Sequence, residues 1–277
     1  MLGTELHHTE ALEVELLLAG VARRYGYDMR GYARSSLMRR VRNAVHQEGL
    51  ATVSALQEKV LHEPAAMVRF IERVAVHTTA MFRDAEVFRA LREEVIPLLR
   101  TYPFVRIWHA GCASGEEVYS LAILLEEEGL YDRCRLYATD LSDQVVERAR
   151  AGVFSLRHLR DHTVAYQKAG GRADFSAYYQ ADAHNAVIRQ ALRRNIIFSQ
   201  HNLVCDGPFN EFHLIMCRNV MIYFDRDLRD HVHRLLYDSL SQFGVLSVGN
   251  RESLHGTPHE SRYEPIGDEL RLYRKVR

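Results

Sequence analysis

From Glu10 to about Val76, apolar residues recur at spacings of three and four, as in "ALEVELLLAGVARRYG" and "SSLMRRVRNAVHQEG", which is the period of amphipathic helices. Both runs close on glycine, so Gly26 and Gly49 are expected to end helices in the left-handed conformation that other residues resist. Thr52, ahead of "VSALQEKV", has the hydroxyl of an N-cap, and Pro64 suits the first turn of "PAAMVRFIERVAV". Residues 1–77 therefore read as an all-α domain, and residues 78–103 as a linker with a further helix. After residue 104 the period changes. "VRIWHA" is a short apolar strand followed by a helix from about Glu116; "CRLYATD", "SDQVVERARAG", "FHLIMC" and "RDLRDHVHRLLYDSL" then continue as strand, helix, strand and helix. Such alternation implies a parallel sheet covered by helices. "QFGVLSVGN" adds a strand, and "RYEPI" with "ELRLYRKV" a closing hairpin that turns at Gly267 and Asp268. Between about 160 and 200 the alternation breaks into "DFSAYYQ", "NAVIRQ" and "NIIFSQ", read as short antiparallel strands inserted into the α/β domain of residues 104–277.

Composition narrows the class. The 277 residues are 47% hydrophobic and 26% charged with six prolines, which suits a globular chain with a buried core and not a disordered one. Lysine and arginine total 36 against 36 acidic residues, so no global field favours nucleic acid and a charged partner must be met locally. Cys112, Cys134, Cys205 and Cys217 form no CxxC pair, which suits reduced thiols, and no metal site is expected. The N-terminus has no basic segment running into an apolar one, and no window of about 18 uncharged apolar residues occurs. A cytoplasmic protein without membrane insertion is expected.

The candidate chemistry starts at "HAGCASGEEVYSLAILLEEE", residues 109–128. A strand, a turn with Gly111 and Gly115, and a helix make the frame by which doubly wound folds hold a nucleotide, and Gly111 is assigned to that cradle although the GxGxxG spacing is absent. The next strand ends in Asp140, where an acidic side chain can accept hydrogen bonds from both ribose hydroxyls. Glu116 and Glu117 then select among adenosine ligands. A dinucleotide sets its pyrophosphate at this helix N-terminus, and carboxylates there repel it. S-adenosylmethionine has no phosphate and carries a sulfonium and an ammonium, so a glutamate facing it gains a charge-assisted contact. The plainer alternative is a capping box of Ser114 and Glu117, with about 0.3–1 kcal/mol from the helix dipole. Asp140 has its own alternative as a capping residue, a role that Ser142 or Asp143 would serve equally well.

The segments "HTTAMFRDAEVF", "HAGCASGEEVYSLA" and "FHLIMCRNVMIYFD" together resemble the CheR family of chemotaxis receptor methyltransferases, most specifically in "CRNVMIYF" and in "GEE" followed by "YS". The resemblance covers nearly the whole chain. It implies an all-α N-terminal domain that docks the substrate, a linker, and a Rossmann-like S-adenosylmethionine-dependent methyltransferase domain with a small antiparallel β insertion. It implies cofactor contacts at His77, Thr79 and Arg83 in the linker, and at Glu117 and Asp140 after the first two strands. Further contacts implied are Asn202 and Leu203 of "SQHNL", and Arg218 and Asn219 after the fourth strand, with Tyr223 near the transferred methyl. The chain departs from the usual family pattern at Ala113 and Ser114, where serine and threonine are common, at Val118 in place of proline, and at His77 in place of asparagine.

The reaction so implied is methylation of glutamate side-chain carboxylates on chemoreceptors or related signalling proteins, leaving glutamate methyl esters and S-adenosylhomocysteine. A glutamate, with an ordinary pKa of about 4.3, is already ionised at neutral pH and needs no general base. The site has to align and desolvate it, and Arg83 and Tyr223 are the catalytic candidates for that orientation. The plainer readings are a surface ion pair of Arg83 with Asp84 or Glu86, and a core role for Tyr223. Substrate docking is assigned to the helix of Arg39, Arg40 and Arg42. It lies in a stretch that also holds Arg23, Arg24, Arg30 and Arg34 against the single acid Asp28, and it leaves those three largely to solvent or a partner. In the family this helix is implicated in docking the methylation helices of receptors. The short segment "QADAHNA" lacks the glycine-flanked turn of members that grip a receptor's C-terminal peptide, so no such tether is expected, and the family resemblance implies a monomer. An alternative function is a non-catalytic S-adenosylmethionine-binding module that docks a signalling partner.

Overall fold

The structure, a computed structural model, describes residues 2–75, 78–267 and 270–277. Contacts divide the chain into two units, the first holding the residues up to 75 together with 202–206 and 223–232, and the second the remainder. In the first unit, α1 (Leu2–Tyr25), α2 (Arg34–Gln47), α3 (Val53–His62) and α4 (Pro64–Val74) follow the helical spacing of the sequence. They bury Leu17, Val21, Leu37, Val41, Leu56, Val60, Phe70 and Val74 against one another. Gly26 and Gly49 end α1 and α2 at φ 78° and 67°, and Thr52 Oγ1 accepts the N–H of Ala55 at 3.1 Å, supplying one of the partners a helix start lacks. The unit has one polar centre. Glu48, which follows α2, has a side chain only 6% exposed and accepts Lys59 and Arg69 at 2.8 Å and Arg73 as well, tying α3 and α4 to the end of α2. Hydrogen bonds from Arg69 and Lys59 hold its carboxyl well below the usual carboxylate range. Residues 223–225 add an extended segment: Ala33 N donates to Tyr223 O and Asp225 N to Gly31 O, each at 2.7 Å.

In the second unit a helical stretch comes first: α5 (Ala85–Ala90), a π-helical turn at Leu91–Val95, and α6 (Ile96–Leu99). Then come β1 (Val105–Ala110), α7 (Glu116–Glu127), β2 (Cys134–Asp140), α8 (Asp143–Ala151), β3 (Val153–Ser155), α9 (Leu159–Lys168), β4 (Tyr179–Ala181), β5 (Asn185–Ile188), β6 (Ile196–Gln200), β7 (Phe212–Cys217), α10 (Arg226–Ser239), of which residues 226–232 count with the first unit, β8 (Leu240–Val248), β9 (Tyr263–Ile266) and β10 (Leu272–Lys275). Seven strands form a sheet in the order β6-β2-β1-β7-β8-β10-β9; the first five run parallel, and β10 and β9 close it as an antiparallel hairpin. Gly267 has φ 68° at the start of the hairpin turn, and Asp268 lies outside the described residues. Among the described residues no helix is long and apolar enough to cross a membrane.

The inserted sheet differs from the expectation. It is built of β3, β5 and β4, whereas "NIIFSQ" is β6, a parallel edge strand of the main sheet with Ile196 opposite Leu136. An edge strand packed on one helix buries alternate residues, here Ile196 and Phe198, and its sequence is then indistinguishable from an antiparallel strand. β3 has three residues, too few to show a period. The insertion is anchored on the end of α7, where Glu127 accepts the hydroxyls of Tyr166 and Tyr178 and the N–H of Arg172.

Because the folded carboxyl of Glu48 titrates lower than the unfolded one, its contribution is present above the unfolded pKa, near 4.5, and is lost as pH falls toward the folded value. Glu48→Gln is expected to cost about 2 kcal/mol near neutral pH and clearly less at about pH 3, read by urea denaturation with circular dichroism.

Candidate active site

Strand order places the crevice. The chain runs from β1 outward to β2 and β6 and then returns to β7 on the other flank of β1, so the loops after β1 and β7 face one another at the carboxyl ends of their strands. That reversal is where doubly wound sheets bind ligands. The β1 loop is held tightly, with the N–H groups of Gly111 and Cys112 both donating to Thr139 O at 2.8 Å. Gly111 has φ 76°, and a Cβ there would lie 2.5 Å from Val220 Cγ2 in the β7 loop, so only glycine fits. Ala113 carries a left-handed φ of 47° and donates its N–H to Asp140 Oδ2 at 2.9 Å. Asp140 therefore links the ends of β1 and β2, and Ser142 is the residue that caps α8.

The alternative, a capping box of Ser114 and Glu117, does not form. Gly115, at φ 93°, is the N-cap of α7, and the Ser114 hydroxyl donates to Glu116 Oε2 at 2.7 Å. A left-handed glycine at the N-cap turns the Ser114 side chain away from the N–H groups it would have accepted. Glu116 is half-buried, and that burial pushes its carboxyl upward.

Glu117 meets the β7 loop instead. Arg218, whose side chain is 0% exposed, places Nη1 2.6 Å from Glu117 Oε2 and 3.1 Å from the Arg83 carbonyl, and Nη2 2.6 Å from Asp84 Oδ2. One buried cation thus carries two carboxylates, and the Arg83 guanidinium also acts on Glu117. Burial raises the Glu117 carboxyl while Arg218 opposes the rise. Beneath it on β1, His109 is 2% exposed with Nδ1 3.9 Å from Glu117 Oε1. Burial, with the Arg218 cation nearby, pushes the imidazole down to about 3, so it is neutral at physiological pH.

Arg83, Gly111, Glu117, Asp140, Arg218 and Asn219 all belong to the second unit, and Arg218 and Glu117 touch directly. Thr79 lies half-buried in the same unit, in the segment before α5. His77 falls outside the described residues. The Arg83 guanidinium donates to Thr78 O at 3.4 Å, and it lines a groove of about 410 Å³ with Asp84, His162, Val164 and Lys168. Asp84, the partner first considered for Arg83, is engaged by Arg218. Asn202, Leu203 and Tyr223 belong to the helical unit. Asn202 Oδ1 accepts Val204 N at 3.0 Å, and Leu203 is buried.

Of the docking arginines, Arg39 is exposed, while Arg42 makes a two-bond ion pair with Glu10 at 2.5 and 2.6 Å. Arg40 does not face solvent as expected. It donates to Val74 O at 2.6 Å and lies 4.7 Å from the Tyr223 ring centroid, and this burial lowers its pKa. A helical wheel marks Arg40 as polar-face, but the chain segments that cover it come from elsewhere in the unit.

Sequence reasoning missed His109, Gly249 and Glu252, and placed Asp84 only as a surface partner of Arg83. A histidine next to the last residue of β1, and a glutamate three residues after the glycine that follows β8, were the available signals. Glu252 accepts three backbone N–H groups, two of them from the β7 loop. The residues present suit a phosphate-free adenosine cation. Carboxylates lie beside the β1 loop at Glu117 and Asp140, Gly111 leaves room for close approach, and Asn219 Oδ1 and His109 Nε2 are buried without a hydrogen-bond partner among the described residues.

Residues 77–267 match the model of the CheR methyltransferase SAM-binding domain, and residues 12–75 that of the CheR methyltransferase all-alpha domain. A Pseudomonas putida protein named Cher3 is 43% identical over 264 residues, covering 95% of this chain and 97% of that protein. The chemotaxis protein methyltransferase of Listeria innocua is 28% identical over 236 residues, covering 84% and 87%. That of Salmonella typhimurium is 32% identical over 202 residues, covering 69% and 65%.

Since the folded His109 titrates near 3 and the unfolded one near 6.5, its neutral form contributes stability above about pH 6.5 that is lost as pH falls toward 3. The thermal midpoint of the native protein is expected to fall more steeply from about pH 7 to about pH 4 than that of His109→Gln; parallel curves would contradict the assignment.

Proposed function

Because the chain belongs to the CheR methyltransferase family, with its SAM-binding domain over residues 77–267, we propose that it methylates glutamate side chains on a chemoreceptor or a related signalling protein, in the cytoplasm. The observation that best supports this reading is the buried Arg218 held between Glu117 and Asp84 at the sheet's reversal point. Arg218 fixes Glu117 in the first turn of α7, where a carboxylate disfavours a phosphate and favours a cation. When bound, S-adenosylmethionine supplies a methyl group activated by its sulfonium.

The residues of this chain have four tasks. Glu117 and Asp140 hold the cofactor through its charged and ribose groups, and Gly111 leaves room for it. Asn219, with Thr79, Asn202 and Leu203, adds polar and apolar contacts. Arg83 orients the acceptor carboxylate. Tyr223 steadies the transfer, its ring fixed by the Arg40 guanidinium. No proton is moved, because the acceptor carboxylate is already ionised.

Docking of an acidic receptor helix falls to α2, chiefly to Arg39, and to Arg42 by exchange of Glu10 for a receptor carboxylate. In the insertion, Asp182 closes the β4–β5 turn by accepting His184 N and Asn185 N at 2.7 Å, which makes a short turn; we propose that the chain acts as a monomer without a C-terminal peptide tether.

Labelled methyl should pass from S-adenosylmethionine to a cognate receptor as a base-labile ester. Arg83→Ala and Tyr223→Phe are each expected to lower kcat about tenfold or more, and Asp140→Ala to weaken S-adenosylhomocysteine in calorimetry by a similar factor. Cofactor binding with no ester on any receptor would defeat the reading. Arg39→Glu should raise the KM for receptor several-fold, roughly the effect of one rim charge, and leave S-adenosylhomocysteine affinity unchanged.

A further inference from the structure

Glu252 lies after β8, far in sequence from the residues discussed above, yet its side chain ends in the β7 loop. It is 5% exposed. Its Oε2 accepts Asn219 N at 2.8 Å and Gly249 N at 2.6 Å, and its Oε1 accepts Ile222 N at 3.2 Å. A carboxylate accepts on both oxygens, so one side chain replaces three backbone partners that a buried turn would otherwise lack. The turn is a strained one. Asn219 has φ 61°, the left-handed region, which a non-glycine residue keeps where its surroundings hold it. Gly249 supplies the remaining constraint: a Cβ there would lie 2.7 Å from both Asn219 Nδ2 and Glu252 Oε2, and 2.8 Å from Asn219 N.

We infer that Glu252, with Gly249, is a positioning residue for the cofactor site, holding the Asn219–Ile222 turn in the one geometry that presents Asn219 to S-adenosylmethionine. This rests on the reading of Asn219 as a cofactor contact. The buried Asn219 Oδ1, which has no hydrogen-bond partner among the described residues, is the atom so presented. Neither residue touches the reacting atoms; both act through Asn219. Glutamine at 252 keeps the volume and one acceptor but sets an amide donor against a backbone N–H, so one of the three bonds is replaced by a repulsion.

Three variants of the full chain test it: Glu252→Gln, Gly249→Ala and the double. The readouts are thermal midpoint, calorimetric Kd for S-adenosylhomocysteine, and the split of kcat from the KM for S-adenosylmethionine. Each single variant is expected to raise Kd and KM about tenfold with a smaller change in kcat, and the double to be no worse than the poorer single, because both disturb one turn. Glu252→Asp, one methylene shorter, is expected to fall between the native protein and Glu252→Gln. A folded Glu252→Gln with native Kd and KM overturns the inference. So does loss of the cooperative fold in both single variants, which would make the pair a determinant of folding instead. Native protein that fails to bind S-adenosylhomocysteine would instead count against the proposed function, and it is recorded separately.

Discussion

The second unit depends on one buried cation. Arg218 has no contact with solvent, and a guanidinium removed from water is tolerable only when charged partners and carbonyls take up its donors. Asp84, Glu117 and the Arg83 carbonyl take up Nη1 and Nη2 from two separate segments, while Nε has no hydrogen-bond partner among the described residues. The loops after β1 and β7 and the start of α5 are therefore committed to one arrangement. Removing either carboxylate would leave a buried charge partly uncompensated, a loss of about 3–5 kcal/mol, so the same contacts that define the crevice also make it rigid.

Backbone strain is concentrated around that cation. Phe82, Asp84, Ala113 and Asn219 all have left-handed φ values, and among the described residues only Phe243 and Arg271 share that state without being glycine. Such conformations survive where neighbouring bonds over-determine them. Asp84 is held by Arg218, Ala113 by Asp140, and Asn219 by Glu252. Three of the four are thus locked by a charged side chain from a different element, and Phe82 donates its N–H to the neutral Ser120 hydroxyl at 2.8 Å. This yields a preorganised loop cluster with little freedom to lose when a ligand arrives.

The helical unit uses charge differently. Its arginines are largely answered from within, Arg42 by Glu10, Arg34 by Glu15 and Arg30 by Asp28, so the basic face is much less bare than its sequence suggests. Exposed pairs of this kind contribute little stability and exchange partners readily, whereas the Glu48 centre is buried enough to matter to the fold. The exposed basic face and the stability of the unit therefore rest on different arginines.

Local chemistry sufficed for the elements. Helical spacing marked α1 to α4, Thr52 and Gly49 marked their ends, and the apolar runs marked β1, β2 and β7, because each depends on neighbours within about four residues. The place of Glu117 and Asp140 after the first two strands was legible for the same reason. The partners were not. Arg218 meets Glu117 across 101 positions and Asp84 across 134, and Glu252 meets Asn219 across 33. Pairings of that range follow from strand order, and strand order is decided by how the sheet buries its faces. The same cause made β6 parallel when its alternation could suit either direction, and drew Arg40 inward from a polar face. The sequence by itself thus determined which groups exist at the ends of the strands and in the first turn of α7. Only the tertiary structure decided which of them are neutralised, strained or left facing the crevice, since burial and long-range charge pairing have no signature in local spacing.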